Sequence, residues 1–225
     1  MHTYQAILTA LALAFGSVFP AAYGQDINLL PRYGLLPKTE VQKEIDAKFL
    51  ASIDEMYKGN RKKAAKDFSA RGWQYLMQGN FPDAMRRFNQ AWLLDNANGT
   101  ALWGMAAIQA AEEKFDESLK LFAEAEAIVG DDHNFTTDYA KTLAMAGTQK
   151  KDDKLLKDAF ARFERVYKKA PKHKMNLLNW AIALYFADNY AEAWKKVKLA
   201  EAVPGDPEFA PEFLDMLQRK MPRPR

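Results

Sequence analysis

The sequence predicts an all-α fold, an array of paired helices, on the strength of three observations. Residues 72–95 have the pattern of two amphipathic helices joined by a tight turn at Gly79 and Asn80. Much of this pattern recurs about 34 residues downstream, and a fixed period of that length is typical of helical repeats. Apolar residues make up 48% of the chain, as in an ordinary folded protein. The recurring residues are Phe81, Ala84, Phe88 and Ala91, which are followed in the same order by Phe115, Ser118, Phe122 and Ala125.

The charge and the cysteine content exclude several classes of function. The chain has 225 residues, with 32 Lys and Arg against 29 Asp and Glu, and a formal net charge of +3. That excess is too small for the concentrated basic face that nucleic-acid binding requires, so we expect no nucleic-acid partner. Cysteine is absent, which excludes disulfides, thiolate metal sites and cysteine nucleophiles.

Residues 1–24 have the features of a signal peptide. Residues 6–15 form an apolar run that is too short to cross a bilayer, which takes roughly 20 apolar residues. Small side chains at Ala22 and Gly24 suit cleavage before Gln25. We therefore expect an exported protein, periplasmic or secreted, whose mature chain has no transmembrane segment. An uncleaved anchor or a buried helix is the alternative.

Residues 25–60 are predicted to form an extended apolar segment followed by an N-terminal capping helix. Pro31, Gly34 and Pro37 interrupt the apolar run, so we expect it to lie extended over another surface. Its apolar side chains have no other evident partner, and we hypothesise that the segment folds back onto the repeats near Trp73.

The capping helix is predicted from a capping box formed by Thr39 and Gln42. An apolar stripe at four-residue spacing follows the box, and it is expected to cover the end of the first repeat. The stripe consists of Val41, Ile45, Phe49, Ile53 and Tyr57.

Small and large residues alternate at set places through residues 61–205. In the first unit the small, aromatic, small, aromatic and small positions are Gly72, Tyr75, Ala84, Phe88 and Ala91. The fourth unit matches the repeat pattern in order at eight positions, which are Leu177, Trp180, Ala181, Leu184, Tyr190, Ala193, Val197 and Ala200. This pattern resembles the tetratricopeptide repeat (TPR) family, and residues 72–95 also resemble a group of exported bacterial proteins of that kind. The first unit departs from the family pattern at Phe68, Arg71 and Asn96, where Trp, Leu and Pro are commoner.

The resemblance implies a right-handed α-α superhelical solenoid of about four TPR helix pairs with capping helices at both ends. The register slips by roughly seven residues between Ala125 and Val166. Seven residues are about two helical turns, so the third hairpin is predicted to gain about one turn in each arm around residues 148–156. A longer loop is the alternative, and in either case we expect a protrusion there.

Residues 206–225 are predicted to form a C-terminal capping helix and a tail. The helix is indicated by an apolar stripe that follows Asp206 and Pro207, and the tail, MPRPR, is expected to be disordered because it has little apolar surface. The residues of the stripe are Phe209, Phe213, Leu214, Leu217 and Met221.

A partner-binding groove follows from the resemblance, because the first helix of each TPR pair lines the concave face. The predicted groove residues are Trp73, Met77, Trp103, Ala107, Ile182, Tyr185 and Phe186. Ser69, Leu76, Thr100, Ala110 and Leu178 hold further lining positions. Trp73 and Trp103 are the expected anchors. The family's carboxylate clamp needs Lys and Asn where this chain has Ser69 and Trp73, so we do not expect it to bind chaperone tails. Core packing, or cover by the chain's own termini, is the other interpretation of these rings.

Enzymatic, metal and cofactor chemistry is not expected. Asp131, Asp132 and His133 are adjacent in a predicted loop, but neighbouring loop residues rarely all point at one ion. An Asp at a helix start more simply accepts hydrogen bonds from free backbone N–H groups. Basic residues mostly alternate with acidic ones or lie near helix C-termini, and a loose attraction to anionic envelope polymers or lipid head groups stays open.

The function predicted from the sequence is therefore a non-enzymatic, exported scaffold that binds a protein or peptide through its concave groove. The alternative is an inhibitor or immunity protein of the same fold that blocks a secreted toxin enzyme.

Overall fold

The computed structural model describes residues 26–224, and over that range all regular secondary structure is helical. The all-α prediction is therefore confirmed. The predicted signal peptide, residues 1–24, lies outside the described residues. Two short 3-10 helices, Ile27–Leu29 and Pro31–Leu35, come first in the described chain. They are followed by α1 Glu40–Tyr57, α2 Arg61–Met77, α3 Phe81–Leu94, α4 Gly99–Ala111, α5 Phe115–Val129, α6 His133–Lys150, α7 Asp153–Lys169, α8 Lys174–Phe186, α9 Tyr190–Glu201 and α10 Pro211–Lys220.

The chain divides into two compact units, one that ends at Ile108 and one that begins at Gln109. In the first unit α2 packs along α3, and α1 packs against α2. In the second unit the pairs are α6 with α7 and α8 with α9, while α5 contacts α6 and α10 contacts α9. Over residues 26–224, no helix has both the length and the apolar character that a membrane span requires.

The turn predicted at Gly79 and Asn80 joins α2 to α3. Gly79 has φ of +75°, a left-handed conformation in which a residue without Cβ can end the helix. The side chain of Asn80 then accepts a hydrogen bond from the backbone N–H of Asp83 and caps α3. The pair Gly59 and Asn60 does the same between α1 and α2. These short turns hold the helices of each pair side by side.

The recurring residues of the sequence form the core of the two units. Phe81 is half-buried, and the other members of both sets are buried. Phe88 in the first unit and Phe122 in the second have no exposed surface. The recurring small residues leave room for these rings, because helices that pack closely need a small side chain opposite each large one.

The longer third hairpin is confirmed as longer helices and not as a longer loop. The two helices of this hairpin, α6 and α7, have 18 and 17 residues, whereas α8 and α9 have 13 and 12. Only Lys151 and Asp152 separate the long helices, and Asp152 caps α7 by accepting hydrogen bonds from two backbone N–H groups.

Arg162 connects three helices of the second unit. Its guanidinium donates to both carboxylate oxygens of Glu126 on α5, at 2.5 and 3.2 Å, and to Asp158 on α7 at 3.1 Å. The guanidinium carbon also lies 4.0 Å from the centroid of the Tyr139 ring on α6, which stacks on Phe122 at 5.0 Å. Hydrogen bonds from Arg162, with Arg165 adding to them, lower the pKa of Glu126. The two-oxygen contact fixes the relative position of α5 and α7.

The N-terminal segment folds back onto the first helix pair, as hypothesised, but it is not extended, so that part of the prediction is wrong. It forms two 3-10 helices that pack on α3 and centre on the buried side chain of Asn89. The Asn89 amide donates to the carbonyl oxygens of Asn28 and Leu30, both at 2.8 Å, and accepts from the backbone N–H of Tyr33 at 3.3 Å. A single buried amide thus satisfies three backbone groups of the segment, and a strand could not present them at this spacing.

The N-terminal capping helix, α1, begins as predicted but covers less than expected. Thr39 and Gln42 form the capping box, with hydrogen bonds of 2.9 and 3.3 Å. In its second half Ile53 is buried, and the Phe49 ring meets Phe68 of α2 edge-on at 5.6 Å. Val41 and Ile45 of the apolar stripe are instead 66% and 60% exposed. The stripe therefore packs over only half of its length.

The C-terminal tail is ordered through residue 224, contrary to the prediction. The indole N–H of Trp194 donates to the carbonyl oxygen of Met221 at 2.9 Å. The backbone N–H of Arg223 donates to Gln218 at 2.9 Å, and its guanidinium pairs with Glu201. Polar contacts thus hold a tail that has little apolar surface. The predicted capping helix is present as α10, which begins two residues after Phe209.

Replacing Asn89 with Leu is expected to release the N-terminal segment from α3. The change removes three hydrogen bonds and leaves their backbone groups without partners, at a cost of about 1–3 kcal/mol. Trypsin should then cleave after Arg32 faster than in the wild type, measured by mass spectrometry of early fragments against cleavage after the exposed Lys58. Gln90→Ala, at the next position of α3, is the matched control. Equal cleavage of the Asn89→Leu and Gln90→Ala variants would show that Asn89 does not hold the segment.

The Glu126→Gln variant is expected to lose stability at neutral pH but not in acid. Because the folded-state pKa of Glu126 is lowered, its ionised form contributes stability above the ordinary value of 4.5, and this is lost as pH falls through the folded pKa. The difference in free energy of unfolding between wild type and variant should narrow as pH falls from 7 to 3 in urea titrations. Glu117→Gln, an exposed change on the same helix, controls for lost charge. A pH-independent difference would contradict the assignment.

Candidate functional site

The predicted groove residues of the first unit are positioned by one buried ring. Phe88 of α3 lies between Gly72 of α2 and Gly104 of α4. A Cβ added to Gly72 would come within 2.6 Å of Phe88 Cε1, and one added to Gly104 within 2.1 Å of Phe88 Cζ. Neither helix could approach the ring this closely with any other residue. The two glycines therefore set the spacing of α2, α3 and α4.

This close approach brings the two predicted anchors together. Trp73 follows Gly72 on α2, and Trp103 precedes Gly104 on α4. Their ring centroids are 4.7 Å apart at an interplanar angle of 65°, an edge-to-face arrangement favoured by the charge distribution of aromatic rings. The Trp73 ring also meets Phe88 at 5.8 Å. Both indoles are half-buried, so each packs on the core with one side and keeps another at the surface.

Met77 and Ala107 extend the same two helix faces. Each lies four residues beyond its tryptophan, which places it one turn further along the same side of α2 or α4. Met77 is 65% exposed and Ala107 is half-buried. Trp73, Trp103, Met77 and Ala107 are named the tryptophan surface below. The structure leaves part of each of these side chains at the surface of the first unit.

Ser69 does not line a groove, in contrast to the sequence-based expectation. It is 1% exposed, and its hydroxyl donates to the Asn98 side chain at 3.3 Å. The same Asn98 oxygen accepts from the backbone N–H of Ala101 at 2.9 Å and so caps the start of α4. The contact fixes α2 to the beginning of α4, next to the tryptophan surface.

The other predicted groove residues belong to the second unit. Ile182 is half-buried and Phe186 is 47% exposed, and Tyr185 is half-buried beside the C-terminal helix. Its ring lies 5.7 Å from both Tyr190 and Phe213, the latter on α10. Leu178, which was also expected to line the groove, is buried in a cluster with Leu177 and Ala200. Part of this expected lining is therefore core, which is the other interpretation that the sequence left open.

The loop with Asp131, Asp132 and His133 holds structural contacts. Asp132 accepts from the backbone N–H of Phe135 at 2.8 Å and caps α6, and Asp131 pairs with Lys169. The His133 ring meets the His173 ring edge-on at 6.3 Å. Burial and the nearby His133 lower the pKa of His173. Within residues 26–224, no group of three His, Asp or Glu side chains is arranged to hold a metal ion.

A cleft between α2 and α3 contains residues that the sequence analysis did not select. Its walls carry two guanidinium groups together with amide and phenol side chains, and its volume is about 430 Å³. The lining residues are Arg71, Gln74, Tyr75, Gln78 and Arg87. The sequence offered one sign of this cleft, because Arg71 stands where the TPR pattern favours Leu.

Comparison with known proteins leaves the function open. No protein-family model matches the chain, and no curated protein matches it in sequence.

Substituting Gly104 with Ala should destabilise the first unit and disturb the tryptophan pair. The added methyl group would overlap the Phe88 ring, and overpacking of this kind costs about 1–3 kcal/mol. Urea denaturation followed by tryptophan fluorescence measures the effect. The single variants Gly104→Ala and Phe88→Leu and the double variant form a thermodynamic cycle, in which the smaller Leu should relieve part of the cost. Purely additive effects would mean that the two residues do not constrain each other.

Proposed function

We propose that the chain is an exported, non-enzymatic scaffold of the TPR type that holds an apolar segment of a protein or peptide partner. The alternation of small and aromatic residues supports the family assignment, as do the three-residue turns and the antiparallel pairing of α2 with α3 and α8 with α9. In such a scaffold the helix pairs would continue as a right-handed solenoid, and the first helix of each pair would face the partner.

The observation that carries this proposal is the tryptophan surface. Indole rings contribute large contact areas at little conformational cost, and they are enriched among residues that dominate binding energy. Here the rings are held by their edge-to-face contact and by Phe88, so the tryptophan side chains would lose little conformational entropy on binding. Exposed Met77 beside them adds a flexible apolar side chain that adapts to different partners.

The Trp73 indole N–H suggests how a peptide backbone would be bound. Within the described part of the chain, the Trp73 indole donates no hydrogen bond, whereas the Trp194 indole donates to a carbonyl oxygen. A half-buried tryptophan gains when its N–H finds an acceptor. In the proposed complex a partner's backbone carbonyl would be that acceptor, while its apolar side chains would pack against Met77.

Export is part of the proposal, on the sequence evidence of residues 1–24. The absence of cysteine agrees with an oxidising compartment, where a free thiol would be exposed to oxidation. We therefore expect the partner to be a component of the cell envelope or a secreted protein.

Site-specific photo-crosslinking tests the proposal. A photoreactive amino acid replaces Met77 in one variant and Met56 in a control, since both side chains are largely exposed and only Met77 belongs to the tryptophan surface. Irradiation of intact cells should give a defined crosslinked band with the probe at 77 and none with the probe at 56. Mass spectrometry would identify the partner peptide and the mature N-terminus.

A second change shows whether the crosslink reports specific binding. With the probe at position 77, Trp103→Ala should remove most of the crosslinked product, because losing a binding anchor typically costs about 2 kcal/mol or more. Helical circular dichroism must match that of the parent, so that lost folding is not mistaken for lost binding. The same band with the probe at position 56, or full crosslinking in the Trp103→Ala variant, would show that this surface does not bind the partner.

A further inference from the structure

Two arginines of the first unit line one cleft that has no Asp or Glu side chain in its walls. Arg71 on α2 and Arg87 on α3 line the cleft described above. Within residues 26–224, neither guanidinium forms an ion pair. Five other arginines of the described chain do form ion pairs with acidic side chains. The paired arginines are Arg61, Arg86, Arg162, Arg165 and Arg223.

Both guanidinium groups are gathered around the same aromatic ring. The guanidinium carbon of Arg71 lies 5.4 Å from the centroid of the Phe68 ring, and that of Arg87 lies 5.9 Å from it. Phe68 is buried, so the ring is a fixed platform for both side chains. Gln90 accepts a hydrogen bond of 2.9 Å from Arg87 Nη1 and so holds the guanidinium in place. The other N–H donors of this guanidinium stay available to a ligand.

The rest of the cleft adds hydrogen-bond donors and no negative charge. Gln74 of α2 and Gln78, which follows the end of α2, carry exposed amides, and Tyr75 contributes its phenol side chain to the same wall. No Asp or Glu is among the lining residues. Two like charges beside one ring repel each other, and a bound anion would remove that repulsion. The cleft is thus built to accept an anion with several oxygen atoms.

We infer that this cleft binds a phosphate monoester group. Arginine forms paired hydrogen bonds with phosphate oxygens, and two guanidinium groups match the charge of a dianion. A carboxylate would neutralise only one of them and has fewer oxygens for the Gln and Tyr donors. The volume of about 430 Å³ is within the range of small-molecule sites, so the organic part of the ester has room beside the phosphate. The site does not include the tryptophan surface, so either proposal can fail alone.

Phenyl phosphate and benzoate are a matched pair of probes, because both present an anion on the same ring. Isothermal titration calorimetry of the full chain at constant ionic strength should show binding of phenyl phosphate and at least tenfold weaker binding of benzoate. Arg71→Gln and Arg87→Gln should each weaken phenyl phosphate binding about tenfold or more, since each removes charge-assisted hydrogen bonds. Lys66→Gln removes an equal charge from an exposed position on α2 outside the cleft, and it should leave the affinity unchanged.

Three outcomes would overturn the inference. The first is that phenyl phosphate does not bind, and the second is that benzoate binds with the same affinity as phenyl phosphate. The third is that Lys66→Gln weakens phenyl phosphate binding as much as the arginine variants do, which would mean general charge attraction. Thermal unfolding of each variant must match the wild type. Sedimentation with phosphatidylcholine vesicles that contain phosphatidic acid distinguishes the sources of the phosphate. If the wild-type chain cosediments with these vesicles and the Arg71→Gln variant does not, the ligand is a lipid headgroup. If the wild-type chain binds phenyl phosphate but does not cosediment, the ligand is a soluble ester.

Discussion

The arrangement of the first unit depends on one contact, the Phe88 ring held between Gly72 and Gly104. A ring that touches two helix backbones fixes their separation more closely than side-chain packing alone, because neither glycine can move inward or be replaced without a clash. The residues next to the glycines are the two tryptophans, so the same spacing brings the indoles into edge-to-face contact. The core thus determines the geometry of the surface.

Much of the helical framework could be predicted because its causes are local. The period of about 34 residues reports which side of each helix is buried, and Gly79 with Asn80 reports where one helix ends and the next begins. The seven-residue slip before Val166 could even be assigned to longer helices, since two whole turns preserve the buried face. Each of these inferences needs only residues within a turn or two of one another.

The termini could not be predicted, because distant polar side chains hold them. The segment before α1 is fixed by Asn89, about 60 residues away, and the tail is fixed by Trp194. Apolar periodicity carries no information about such contacts.

The candidate sites likewise combine features that follow from local sequence with features that depend on distant residues. Trp73 and Met77 lie at the surface as a helical register predicts, whereas Tyr185 packs against Phe213 of the C-terminal helix, and Arg87 lines the same cleft as Arg71 only through tertiary packing.

The backbone of the N-terminal segment affects how firmly that segment is attached. Arg32, Tyr33, Gly34 and Leu35 all have positive φ, between 53° and 67°. For residues other than glycine this conformation costs roughly 1–2 kcal/mol each, and detachment of the segment would release that energy. The hydrogen bonds to Asn89 and the burial of Tyr33 are therefore partly offset. Residues 26–36 should open in a local fluctuation of lower free energy than unfolding of α2 and α3, so the first unit has a native state with two levels of stability.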